Sequence, residues 1–143
     1  MGEPFRFKIA SFDTDVPSGP VEESEFPAGQ EIAEELRDVL KAEGYEIDEF
    51  DLLSNYAWWI SFKVNKSRVD IELFGACEDW SWMVFVRSSL GCLMFFRTKP
   101  DDLISAYHAV DFALRRVSLI RNVRWHEPGA ELAELGESRD HPE

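Results

Sequence analysis

Alternation of apolar and polar residues predicts that most of this chain forms an antiparallel sheet. The clearest run spans residues 56–64, where Trp58 begins a series of large apolar side chains at every second position, and Ser61 and Lys63 lie between them. A period of two residues indicates a strand, because successive side chains point to opposite faces. Polar turns separate similar runs, so we expect a hairpin-linked meander. The predicted strands cover residues 5–9, 50–54, 56–64, 68–74, 80–86 and 92–97, and a short extended segment follows at 123–125.

Apolar residues at helical spacing predict two helices. Residues 28–43 carry one apolar stripe, which begins at Ile32, and Gly44 follows it as a C-cap should. A second stripe runs from Leu103 to Val117 in alternating steps of four and three residues. Together with the strands, these helices predict an α+β two-layer sandwich: an antiparallel meander of about five to six strands with two helices packed on one face.

Length and composition predict one packed domain. The chain has 143 residues, of which 45% are hydrophobic, and this is enough to bury a sizeable core without disulfides or metals. We place that domain at residues 1–126. Residues 127–143 are acidic and weakly apolar, and we expect them to be a disordered tail.

The charge is concentrated in the first third of the chain. Residues 13–51 carry 14 acids and two bases, whereas residues 52–126 carry seven acids and ten bases. Such a surface repels nucleic acid and anionic membranes, and it attracts basic proteins. The alternative is that the acidity only keeps the domain in solution. No basic segment followed by an apolar run opens the chain, so we expect a cytoplasmic protein.

Candidate catalytic and metal-binding residues are few. Asp13 and Asp15 have the spacing of a divalent-metal pair, but an acid-rich loop produces that spacing by chance, and solvated Asx-turns are the favoured interpretation. His108 and Asp111 share a helical face, but one helix supplies only two ligands and no matching His or Cys accompanies them. The sequence therefore predicts no metal site, no cofactor and no catalytic residue.

One feature indicates an interface. If both helices cover the same sheet face, the opposite face carries Trp59, Met83 and Phe85, and Phe74 and Phe95 extend it. An exposed apolar patch of this kind marks an interface or a ligand groove. The alternative is a second layer, formed by the long loop or by the tail, that covers these side chains.

The element order and the acidity resemble those of small single-domain bacterial proteins, among them immunity proteins that bind and neutralise a cognate toxin. The resemblance has no motif and transfers no functional residue. It implies a non-enzymatic protein-binding module that inhibits a basic partner such as a toxin. Two alternatives stay open: a small-ligand-binding or enzymatic domain with a pocket between sheet and helices, and a protein that forms homodimers through the aromatic face. The predicted partner-binding residues are Glu31, Glu34, Glu35, Asp38, Trp59, Met83 and Phe85.

Overall fold

A computed structural model describes residues 7–15, 29–54, 57–75, 82–88, 99–128, 135–139 and 142. It contains seven strands and two helices over these ranges. In chain order they are β1 (Phe7–Asp13), α1 (Gln30–Ala42), β2 (Glu46–Ser54), β3 (Ala57–Val64), β4 (Ser67–Phe74), β5 (Trp82–Ser88), α2 (Pro100–Arg116), β6 (Arg121–Pro128) and β7 (Leu135–Arg139).

The strands form one antiparallel sheet in the order β2-β3-β4-β5-β1-β6-β7. Strands β2 to β5 are the predicted meander, and β1 then pairs with β5 on one side and with β6 on the other. β5 lies fourth of the seven and is the central strand of the sheet over the described residues. Asn65 and Lys66, both with positive φ, form the two-residue turn between β3 and β4.

Both helices pack on one face of this sheet, so the predicted α+β two-layer architecture is confirmed. Strand alternation turns the apolar side chains of β3, β4 and β5 towards the helices, and the apolar stripes of α1 and α2 complete the core. The largest fully buried side chains include Trp125, Phe12 and Phe62. Fully burying side chains of this size contributes about 1.5 to 3 kcal/mol each.

Glycine fixes both ends of α1. Gly44 has φ +98 just after the helix, and its N–H donates to the carbonyl of Lys41 at 3.0 Å, as the sequence predicted for a C-cap. Gly29 has φ +99 at the N-cap and lies against Trp82, so a Cβ built there would approach the indole ring to 2.5 Å. This end of the helix therefore requires glycine for its conformation and for its packing.

The structure extends the sheet at both ends of the chain. β1 continues through Ser11 to Asp13, beyond the predicted end at residue 9, because Phe12 adds a buried side chain on the helix side. The sequence predicts a disordered tail from residue 127, whereas β6 reaches Pro128 and β7 pairs with it. The acidic composition suggested disorder, but backbone pairing along β6 supplies order that composition does not reveal. The predicted strand at 92–97 lies outside the described residues.

Candidate functional site

The two tryptophans of β3 lie on opposite faces of the sheet, as predicted. Trp58 is 4% exposed and stacks on Phe50, with 5.6 Å between ring centroids. Trp59 is half-buried on the other face, which we call the outer face, and the guanidinium of Arg68 lies 5.7 Å from its ring centroid. A cation over an indole face is attracted by the ring quadrupole.

The centre of the outer face is not an exposed apolar patch. Met83 is only 6% exposed, and Ile9 and Ser11 beside it on β1 are also buried. Phe85 is half-buried. The expectation that Met83 lies at an open surface was therefore wrong, because strand alternation gives a side chain's face and not what lies above that face. The side chain of Phe74 lies outside the described residues, and so does the whole of Phe95. The long loop that would form the alternative second layer is also outside them.

Charged side chains occupy the outer face over β3 and β4. Arg68 donates to the hydroxyl of Ser61 at 2.6 Å and lies 4.0 Å from a carboxylate oxygen of Asp48 and 3.9 Å from one of Asp70. Asp70 is buried, and its Oδ1 accepts no hydrogen bond from the residues that the structure describes. On the next strand, Arg87 forms an ion pair with Glu72. This half of the outer face is a network of paired charges.

The strand β2 carries acids along the same face at the margin of the sheet. Glu46, Glu49 and Asp51 lie directly opposite residues of β3 and are exposed. Lys63 lies 3.2 Å from Glu46 and 3.6 Å from Asp48, and these carboxylates raise the pKa of its ammonium group, Glu46 through its hydrogen bond most of all. One base thus faces several acids here.

The predicted acidic stripe of α1 divides into exposed acids and one tethered acid. Glu31 and Asp38 are exposed, and Glu34 is half-buried and accepts a hydrogen bond from Gln30. Glu35 accepts hydrogen bonds from the backbone N–H of Ser118 at 2.8 Å and from its hydroxyl at 3.1 Å. It ties α1 to the turn after α2 and is therefore a structural residue. Sequence spacing does not indicate this contact, because the two residues are 83 positions apart.

Asp13 and Asp15 both bind side chains at the start of β6. Asp15 receives both Nη groups of Arg121, at 3.0 and 3.1 Å, and this hydrogen-bonded ion pair lowers the pKa of its carboxyl group. Asp13 accepts a hydrogen bond from Asn122 at 2.9 Å and lies 3.4 Å from Arg124. Both carboxylates thus attach the end of β1 to β6.

The His108 and Asp111 pair also has a structural explanation. Asp111 accepts a hydrogen bond from the indole Nε1 of buried Trp125 at 2.8 Å and another from Arg115 at 3.0 Å. His108 is exposed on the outward side of α2. The carboxylate therefore satisfies a buried tryptophan donor.

One serine–histidine contact could not be found by sequence spacing. Ser11 Oγ and His126 Nε2 are 2.6 Å apart on the outer face, across the β1–β6 pairing. Such a pair is the beginning of a nucleophile and base arrangement. Ser11, however, is only 2% exposed and lies directly opposite Met83. Its hydroxyl is therefore inaccessible to a substrate in this conformation. The bond instead satisfies a buried polar group.

No family model, no curated protein and no solved structure matches the chain. Within the described ranges, no three His, Cys, Asp or Glu side chains come together to hold a metal ion. None of the helices in those ranges is long and apolar enough to cross a membrane.

Proposed function

We propose that this chain is a non-enzymatic protein-binding module whose acidic surface engages a basic protein, in the manner of an immunity-type inhibitor that neutralises a basic toxin. One observation carries the proposal: six exposed acids lie along the segment from α1 to β2, those of α1 on the helix layer and those of β2 on the outer face at the margin of the sheet. That set, which we call the acidic surface, is Glu31, Asp38, Glu43, Glu46, Glu49 and Asp51.

The excess of acids over bases in this segment supports the attraction of a basic protein. Residues 30–52 contain nine acids and two bases. Of those bases, Arg37 lies 4.5 Å over the ring of Phe50 and 3.0 Å from Asp38, and Lys41 is exposed. A net negative field of this kind increases the rate at which an oppositely charged protein associates. Trp59, one strand inside the margin, supplies an aromatic side chain of the type that anchors interfaces.

The test compares two single charge reversals. Asp38→Lys changes a residue of the acidic surface, and Asp101→Lys makes the same change at an exposed helical position outside it. Affinity capture with the wild-type chain identifies the bound protein, and stopped-flow mixing then gives the association rate constant for each variant. We expect Asp38→Lys to slow association about two- to fivefold at low salt, with the difference shrinking at high salt.

Two results would contradict the proposal. One is an equal effect of both variants, since the location of the acid would then be irrelevant. The other is an association rate constant that does not change between low and high salt. Glu35 is left unchanged in these variants because its bonds to Ser118 hold the fold.

A further inference from the structure

The strand β2 has one unpaired backbone edge among the residues that the structure describes. It is an end strand of the sheet, and at nine residues it is longer than β7, which has five residues at the opposite end. An edge strand offers a row of N–H and C=O groups to any extended chain that comes alongside. Nine residues are enough for several such hydrogen bonds.

On the outer face, the acids of this edge favour an added strand that carries positively charged side chains. Glu46, Glu49 and Asp51 are the β2 residues whose β3 partners, Lys63, Ser61 and Trp59, point to the outer face. A strand added beside β2 would place its own outer-face side chains directly opposite these acids. Opposite charges in that position stabilise a strand pair, and like charges destabilise it.

The other face of the same edge is apolar and incompletely covered. Ile47, Phe50 and Leu52 lie opposite the buried core residues of β3, and all three are only half-buried although they pack against the core. The hydrophobic core is therefore open along β2. Apolar side chains on an added strand would extend it and bury this surface.

Building on the proposed function, we infer that β2 receives an extended segment of the basic partner as an additional strand. That segment has Lys or Arg at alternate positions, facing the acids, and apolar residues between them, facing Ile47, Phe50 and Leu52. A second copy of this chain does not fit, because pairing two β2 edges would bring like-charged carboxylates opposite one another. The acids thus disfavour a second copy of this chain and favour a basic segment of the partner.

The probe is a synthetic peptide that alternates lysine and valine over the length of β2, acetylated and amidated at its ends. A second peptide has the same composition, with its lysines and valines in separate blocks. Two further peptides carry N-methyl groups on alternate residues, one set for each backbone edge, because N-methylation removes the donor needed for pairing. Fluorescence anisotropy at low salt gives the dissociation constants.

We expect the alternating peptide to bind about tenfold more tightly than the block peptide, and at least one N-methylated peptide to lose about tenfold in affinity. Binding should slow amide hydrogen exchange in β2 more than in α1. In the protein, Glu49→Lys with Asp51→Lys should weaken binding more than the equally charged pair Glu31→Lys with Asp38→Lys.

Strand addition is refuted if both N-methylated peptides bind as well as the parent, if the block peptide binds equally well, or if no lysine peptide binds. None of these results contradicts the proposed function. That function is tested separately, by the association rate constants of Asp38→Lys and Asp101→Lys with the captured partner. If those two variants have unequal effects but strand addition fails, the acidic surface binds the partner through side chains alone.

Discussion

The two faces of the sheet come from the same strands, yet they are built in different ways. On the helix side, β3, β4 and β5 present large apolar side chains that are almost fully buried against α1 and α2. On the outer face, the same strands present arginines and carboxylates joined in pairs. Burial of apolar area supplies the folding free energy, whereas exposed ion pairs contribute little. The solvated ion pairs at the β2 margin, such as Lys63 with Glu46, therefore contribute less to stability than the helix side does.

The largest expected difference between the faces is at β3. Trp58→Ala should lower the free energy of unfolding by about 3 to 5 kcal/mol, because it opens a cavity beside Phe50 in the core. Trp59→Ala removes a half-buried ring and should cost within about 1 kcal/mol. Urea denaturation of both variants checks this. Similar losses for the two variants would mean that the outer face at Trp59 is packed as a second core.

Local alternation made this contrast predictable. Periods of two and of 3.6 residues report which side of a strand or helix is buried, so the strands β3, β4 and β5, both helices and Gly44 were predicted from the sequence. The placement of Trp58 and Trp59 on opposite faces followed from the same periodicity.

Long-range pairing was not predictable in this way. β1 joins β5 and β6 across most of the chain, and the bond from Ser11 to His126 spans 115 positions. No spacing rule connects such residues. The burial of Met83 was missed for a related reason: alternation identifies a face but does not report what covers it. The roles of Glu35 and Asp111 likewise depend on contacts between elements.

A smaller effect on stability is expected at the two ends of α1. Gly29→Ala and Gly44→Ala both place a side chain at a positive φ, which costs about 1 to 2 kcal/mol. Only at Gly29 would the new Cβ also collide with Trp82, since no atom of the described residues lies within 4 Å of a Cβ at Gly44. Gly29→Ala should therefore be the more destabilising by about 1 to 3 kcal/mol, the usual cost of overpacking. Thermal denaturation compares the two, and equal losses would contradict close packing at this end of α1.

The smallest expected effect concerns polar contacts at the border of the helix side, and it depends on pH. Asp102, in the first turn of α2, accepts hydrogen bonds from the hydroxyl of Ser67 at 2.5 Å and from the amide of Asn65 at 3.2 Å. These bonds, Ser67 first, hold the pKa of its carboxyl group below the ordinary value of 3.8. A group whose pKa is lower in the folded state favours folding once it is ionised in the unfolded chain. This stabilisation is therefore complete above that ordinary value and is lost as the pH falls through the folded-state pKa.

Asp102→Asn keeps the size of the side chain but removes its charge, so it should lower Tm by a few degrees from pH 7 down to about the ordinary pKa of 3.8, and by less at pH 3. Asp101→Asn, at the neighbouring exposed position, is the matched control for the charge of the first helical turn. The measurement is a series of thermal melts of both variants and the wild type between pH 7 and pH 3. A constant Tm difference for Asp102→Asn over that range, or the same pH dependence for Asp101→Asn, would show that the bonds from Ser67 and Asn65 do not favour the ionised carboxylate. In that case the contact between α2 and the β3–β4 turn would not depend on the charge of residue 102.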